Sequence, residues 1–148
     1  MPEFWLNLGS NIEPQKNIPA CLKLLKEKFK VTGVSSIYET EPVGPAGTAK
    51  FWNAAVILDS PLERAPLQKE LRLIEAKLGR RREADKFAPR TIDIDILPQP
   101  GYQKFGFCIF PLAETIPDAH DPETGRSFRD LASQLPLSGI KKVSFPQF

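Results

Sequence analysis

Asp93 and Asp95 stand two residues apart in Ile92-Asp93-Ile94-Asp95-Ile96-Leu97, a stretch that alternates strictly between apolar and acidic side chains. On a β-strand this sends Ile92, Ile94 and Ile96 to one face and both carboxylates to the other. Same-face neighbours on a strand lie about 6.6–6.8 Å apart, so the two carboxylates can share a small cluster of cations. Asp is depleted in strands, and like charges side by side on one face repel. One or two Mg²⁺ ions would relieve that repulsion, because Mg²⁺ takes one or two carboxylates and completes its shell with water and phosphate oxygens. For two such residues alone, a strand with an acidic solvent face is an equally good reading.

The residues upstream change the balance. Arg80-Arg81-Arg82, Lys86 and Arg90 lead directly into the carboxylates. Arg grips phosphate through a planar fork and keeps its charge at any relevant pH. Basic residues at a helix C-terminus also favour its dipole, which would account for the arginine run by itself. With a carboxylate pair next in the chain, phosphate chemistry is the stronger reading: metal to neutralise a polyphosphate, cations to follow the moving charge, and a pocket holding the nucleophile. The loop from Arg81 to Pro89, poor in glycine and rich in charge, is expected to move without ligand and close on a bound phosphate-bearing ligand.

The remaining reactive residues carry less. Cys21 lies on a helical apolar face and Cys108 within Phe107-Cys108-Ile109-Phe110, and both read as small buried hydrophobes. His120, the single histidine, sits among turn residues with no Cys or His at metal-ligand spacing. A net charge of +2 gives no support to nucleic-acid or membrane-surface binding. No apolar run approaches the roughly 20 residues that span a bilayer, and the first residues lack a signal peptide's pattern. The expectation is one cytoplasmic domain over residues 1–148, working as a monomer on small molecules.

The elements that must position these residues follow from periodicity. Phe4 to Leu8 reads as a strand, ended by Gly9-Ser10-Asn11. Ile18, Leu22, Leu25 and Phe29 mark a helix running to about Lys28. Val31 to Thr40 reads as a second strand and Phe51 to Leu58 as a third, with a turn-rich loop between. Leu67, Leu71, Ile74 and Leu78 form the stripe of a second helix from Pro61 or Leu62 to Leu78, with Gly79 as its stop. Ile92 to Leu97 is the fourth strand. Eight of the 15 prolines fall from Pro89 onward, so the C-terminal part is expected to be loop-rich, with short helices at 111–115 and 128–135 and a last strand near Val143. The order β-α-β-β-α-β is the ferredoxin-like pattern: α+β, an antiparallel sheet with helices on one face.

The string Lys86-x-Ala88-Pro89-Arg90-x-x-Asp93-Ile94-Asp95-Ile96-Leu97 resembles the signature of the 6-hydroxymethyl-7,8-dihydropterin pyrophosphokinase family. Leu8-Gly9-Ser10-Asn11, Ser36 to Gly44, Phe51-Trp52-Asn53-Ala54-Ala55, Ile74-Glu75 with Gly79-Arg80, and Phe107 to Pro117 resemble other parts of the family, in order. Asp121-Pro122 and Gly125-Arg126-Ser127 extend the likeness, so nearly the whole chain is covered. The resemblance implies transfer of pyrophosphate from ATP to the pterin hydroxymethyl oxygen, releasing AMP, with Mg²⁺, in twos, on Asp93 and Asp95. It implies that Thr40, Val43 and Asn53 hydrogen-bond the pterin while Phe51 and Phe107 sandwich its ring. Glu75, Arg80, Arg82, Lys86, Phe87, Arg90 and Ile96 would match ATP-contacting positions, with Arg80 and Arg90 catalytic, and the loop from Arg81 to Pro89 would close on the nucleotide.

The chain departs from the family in three places. Lys86 and Phe87 stand where Arg and Trp are frequent, and Phe105 stands where Arg is frequent. Only Pro98 to Phe105 separates the D-x-D strand from Gly106-Phe107, where the family carries a longer segment with a Pro-His pair that contacts the ATP phosphates. Two further readings therefore accompany the first: a nucleotide-dependent transferase with a changed heterocycle, and a non-catalytic pterin- or nucleotide-binding homologue.

Overall fold

Strand β1 (Glu3–Ser10) is an interior strand of the sheet, and its five C-terminal residues are all buried. A computed structural model of the chain describes residues 2–40, 50–79 and 92–143. Around β1 the elements follow in the order α1 (Pro14–Lys28), β2 (Lys30–Val34), β3 (Ile37–Thr40), β4 (Phe51–Asp59), α2 (Arg64–Lys77) and β5 (Asp93–Leu97). A 3₁₀ turn (Tyr102–Lys104), α3 (Gly106–Thr115), α4 (Phe128–Ser133) and β6 (Ile140–Val143) complete the described chain. The strand order is β5-β1-β4-β3-β6, with β2 also paired to β4, and every pairing is antiparallel.

Two apolar layers sandwich this sheet. On one face Leu6, Leu8, Ala54, Val56, Leu58, Ile92, Ile94 and Ile96 meet Ile18, Leu22 and Leu25 of α1 and Leu67, Leu71 and Ile74 of α2. These are the stripes that periodicity marks, and Gly79 at φ 90° stops α2 in the left-handed region that favours glycine. On the opposite face Ala55, Ile57 and Leu97 pack under Cys108, Ile109 and Leu112 of α3 and Phe128 and Leu131 of α4. The C-terminal extension is thus the second layer of the domain.

The expected second strand, 31–40, is broken in two at Ser35 and Ser36. Both halves pair with β4, so the strand position in the sheet is single. At the break the Ser35 amide donates to the Ala55 carbonyl at 3.0 Å, and the Ser35 hydroxyl accepts from the Ala55 amide at 2.8 Å. A side-chain oxygen thus replaces a ladder carbonyl. The expected helix at 111–115 starts five residues earlier, at Gly106, with Pro111 inside it. Added at Gly106, a Cβ would lie 2.8 Å from Phe110 Cε2, so a side chain here would have to displace the Phe110 ring.

The short connection from β5 to α3 is closed by a buried carboxylate. Asp121 has no exposed surface and accepts from the Tyr102 hydroxyl (2.7 Å), Gln103 Nε2 (3.1 Å), and the Thr124 amide (3.1 Å) and hydroxyl (2.7 Å). Burial alone would raise this carboxyl, but those donors hold it below the ordinary aspartate range. Tyr102 also sets its ring edge-on to Phe128, with centroids 6.3 Å apart. A Tyr102→Phe variant keeps the ring but removes one of the donors to a charged acceptor, and should lose about 1.5–3 kcal/mol. Urea unfolding with an unchanged slope is the check.

Candidate active site

Alternation places both aspartates of β5 on the sheet face covered by α3, since Leu97 on that face belongs to the second apolar layer. β5 is an edge strand, and α2 covers its open side. The Glu75 carboxylate, 2% exposed, accepts from the Ile94 amide at 2.8 Å and pairs with Arg72 at 3.0 Å. Arg64 Nη2 donates to the Ile96 carbonyl at 3.1 Å. These contacts occupy backbone groups that an edge strand otherwise leaves open, and they hold the D-x-D segment in register.

Burial and the neighbouring Asp93 carboxylate push Asp95 up to about 7, while the Arg72 guanidinium pulls the other way. The two carboxyls are mutually repulsive when both are charged, which is the condition a bound cation relieves. Among the described residues no third His, Cys, Asp or Glu joins them to make a closed cage. Two carboxylates suit Mg²⁺, which keeps much of its water, so Asp93 and Asp95 fit such an ion.

Register carries this face across the sheet. Asp93 lies opposite Gly9, Gly9 opposite Asn53, and Asn53 opposite Tyr38. Strands are about 4.7–4.9 Å apart, so Asn53 sits about 9.5 Å from Asp93 with only a glycine between. A Cβ on Gly9 would come within 3.1 Å of Asn53 Oδ1 and 3.9 Å of Phe51 Cδ1, so the glycine leaves room for the amide and the ring. Asn53, 4% exposed, donates through Nδ2 to the Thr40 hydroxyl at 3.2 Å. Thr40 in turn lies opposite Phe51. Thr40, Phe51 and Asn53 are therefore one cluster.

Phe107, near the start of α3, packs against the second apolar layer and stacks on Phe105, with centroids 5.1 Å apart and 27° between planes. Its helix is tied to the sheet by Glu114. That carboxylate accepts from the Ser36 amide (2.7 Å) and the Ser36 (3.0 Å) and Tyr38 (2.7 Å) hydroxyls, and lies 3.5 Å from Lys142. Burial raises Glu114, but these partners outweigh it and hold it below its ordinary value. One side chain thus fixes α3 against β3 and β6.

Sequence reasoning missed this tie. Its only signal is one acidic residue closing an otherwise apolar helix.

The other expected site residues divide in two. Ile96 is 1% exposed, its side chain in the core on the face away from the carboxylates, so a nucleotide could meet it only along the β5 main chain. Val43, Arg80, Arg82, Lys86, Phe87 and Arg90, and the loop from Arg81 to Pro89, lie outside the described residues. Burial pushes the thiols of Cys21 and Cys108 up to about 12, so neither is a nucleophile at neutral pH. His120 is exposed and bridges Ser127 in the loop before α4.

Fold and face together define an α+β protein of ferredoxin-like topology, with a carboxylate pair and an amide-aromatic cluster on one side of the sheet. The chain belongs to the 7,8-dihydro-6-hydroxymethylpterin-pyrophosphokinase (HPPK) family, whose model matches residues 5–117. It is 32% identical over 156 residues to a 2-amino-4-hydroxy-6-hydroxymethyldihydropteridine pyrophosphokinase of Pseudomonas aeruginosa, covering 94% of this chain and 95% of that one. A protein of the same name from Bacillus subtilis is 37% identical over 127 residues, 74% of this chain and 75% of its own. Among solved structures, a Plasmodium falciparum HPPK-DHPS double variant with pterin and p-hydroxybenzoate superposes with a TM-score of 0.72 at 12% identity. That match covers 95% of this chain and 46% of the other, so the chain spans less than half of that protein. No described helix is long and apolar enough to cross a membrane.

The folded chain holds a proton on Asp95 that the unfolded chain gives up at about 4. Without divalent cations, stability should therefore fall as pH rises from about 4 to about 7. Asp95→Asn removes this penalty. It should melt above the wild type at pH 8, with the gap narrowing below pH 7, in thermal scans in chelator.

Proposed function

We propose that this chain transfers the pyrophosphoryl group of ATP to the hydroxymethyl oxygen of 6-hydroxymethyl-7,8-dihydropterin, releasing AMP, with Mg²⁺ held by Asp93 and Asp95. The observation that carries the reading is the row Asp93–Gly9–Asn53, which sets a carboxylate pair and a ring-edge amide on one face with a residue lacking a side chain between. Membership of the family supports it.

Each chain residue then has a physical task. Thr40 and Asn53 read the polar edge of the heterocycle, and Phe51 and Phe107 contact its faces, as a flat ring with polar edges requires. Val43 adds a further pterin contact. Glu75, Arg82, Lys86, Phe87 and the Ile96 main chain contact ATP, and Arg80 and Arg90 follow the charge as the oxygen–phosphorus bond forms and AMP departs. When bound, Mg²⁺ neutralises the triphosphate and draws charge from the phosphorus under attack. Holding the alcohol in line is the protein's larger contribution.

The decisive experiment follows AMP release from Mg-ATP with and without the pterin. Pterin-dependent AMP is expected, lost in Asp95→Ala and reduced by at least about 100-fold in Arg90→Ala. Full activity in both variants would sink the reading, and pterin binding without AMP under any metal condition would leave a binding homologue. Phe107→Ala should weaken pterin binding about tenfold, the worth of one good stacking contact. Fluorescence titration measures it.

A further inference from the structure

Asn7 on β1 stands directly opposite Asp95 in the register of the two strands, so both side chains leave the same face of the sheet. Its other cross-strand partner is Ala55 on β4, which offers no polar atom from its side chain. Asn7 is 6% exposed, and its Oδ1 is buried without a hydrogen-bond partner among the described residues. Nearly all buried acceptors in folded proteins are matched by protein, water or an ion. The rows on either side show how confined the position is. Trp5 and Leu97 belong to the apolar layer, and Gly9 and Asp93 form the floor of the site.

We infer that the missing partner is the hydrated cation held by the acidic pair, with Asn7 Oδ1 accepting a hydrogen bond from one of its bound waters. This role rests on the cation reading above. The residue type fits the task. A third carboxylate on this face would add repulsion to a pair that already repels, whereas an amide oxygen accepts strongly without charge. Mg²⁺ retains several waters, and each is a polarised donor in need of an acceptor. Groups that bind such waters orient the metal without touching it, and losing one typically weakens metal binding by about 10-fold or more. Asn7 is thus a positioning residue for the cation, placed behind Asp95.

The test is Mn²⁺ binding, followed by electron paramagnetic resonance on the full chain with α,β-methylene-ATP. Wild type, Asn7→Ala, Asn7→Ser and Asp95→Asn would be compared. Asn7→Ala is expected to bind Mn²⁺ about tenfold more weakly than wild type, and Asn7→Ser, which keeps a neutral oxygen, to fall between them. Pterin affinity by fluorescence should be unchanged in both, and melting in chelator no lower, because the group removed has no partner there. Mn²⁺ affinity equal to wild type in Asn7→Ala and Asn7→Ser would overturn the role. Equal affinity in wild type and Asp95→Asn would overturn the cation site itself, and with it both readings.

Discussion

Strand β5, with the residue before it, must bury Ile92, Ile94 and Ile96 on one face, where α2 packs, and hold two aspartates side by side on the other, all at the edge of the sheet. An edge strand with charged residues has weak reasons to stay in register. The contact that holds it is the buried Glu75 carboxylate on the Ile94 amide, with Arg64 on the Ile96 carbonyl as its counterpart. The same helix also buries Leu67, Leu71 and Ile74 beneath the isoleucines. A single element thus anchors β5 by its side chains and by its main chain, and the acidic pair stays aimed at the site. Had β5 slipped by one residue, the isoleucines would face the site and the aspartates the core.

How much of this was legible in the sequence follows from the range over which each signal acts. The strict alternation at 92–97, the stripe Leu67-Leu71-Ile74 and the stop at Gly79 are local, and the structure carries them as expected. The break at Ser35 is not local. It exists because a hydroxyl takes the place of a carbonyl across the sheet, and nothing within Val31 to Thr40 announces that partner. The early start of α3 is by contrast a local feature, with the Phe110 ring one turn on lying where a side chain on Gly106 would stand.

The site divides along the same line. Thr40, Phe51 and Asn53 could be proposed from resemblance, but why they cluster becomes visible only in the register that lays them beside Gly9. Asn7 carried a signal of its own, as the one polar residue between Phe4 and Leu8 of β1. Glu114 carried almost none, because its four partners come from Ser36, Tyr38 and Lys142, far along the chain in both directions. Phe105 replaces an expected guanidinium with a ring, and that ring lies on Phe107.

The pairing of β6 with β3 bears on the order in which the molecule can be built. Among the described residues, Ile37 to Thr40 is paired on its outer side only by Ile140 to Val143. While the chain is being synthesised, that edge is bare until almost the last described residue has emerged, and bare edges invite wrong partners. Glu114 also lacks Lys142 until then. The core around β1 can form early, whereas the wall that carries Thr40 is completed last. Assembly of the described elements should therefore finish at the sheet edge that carries Thr40.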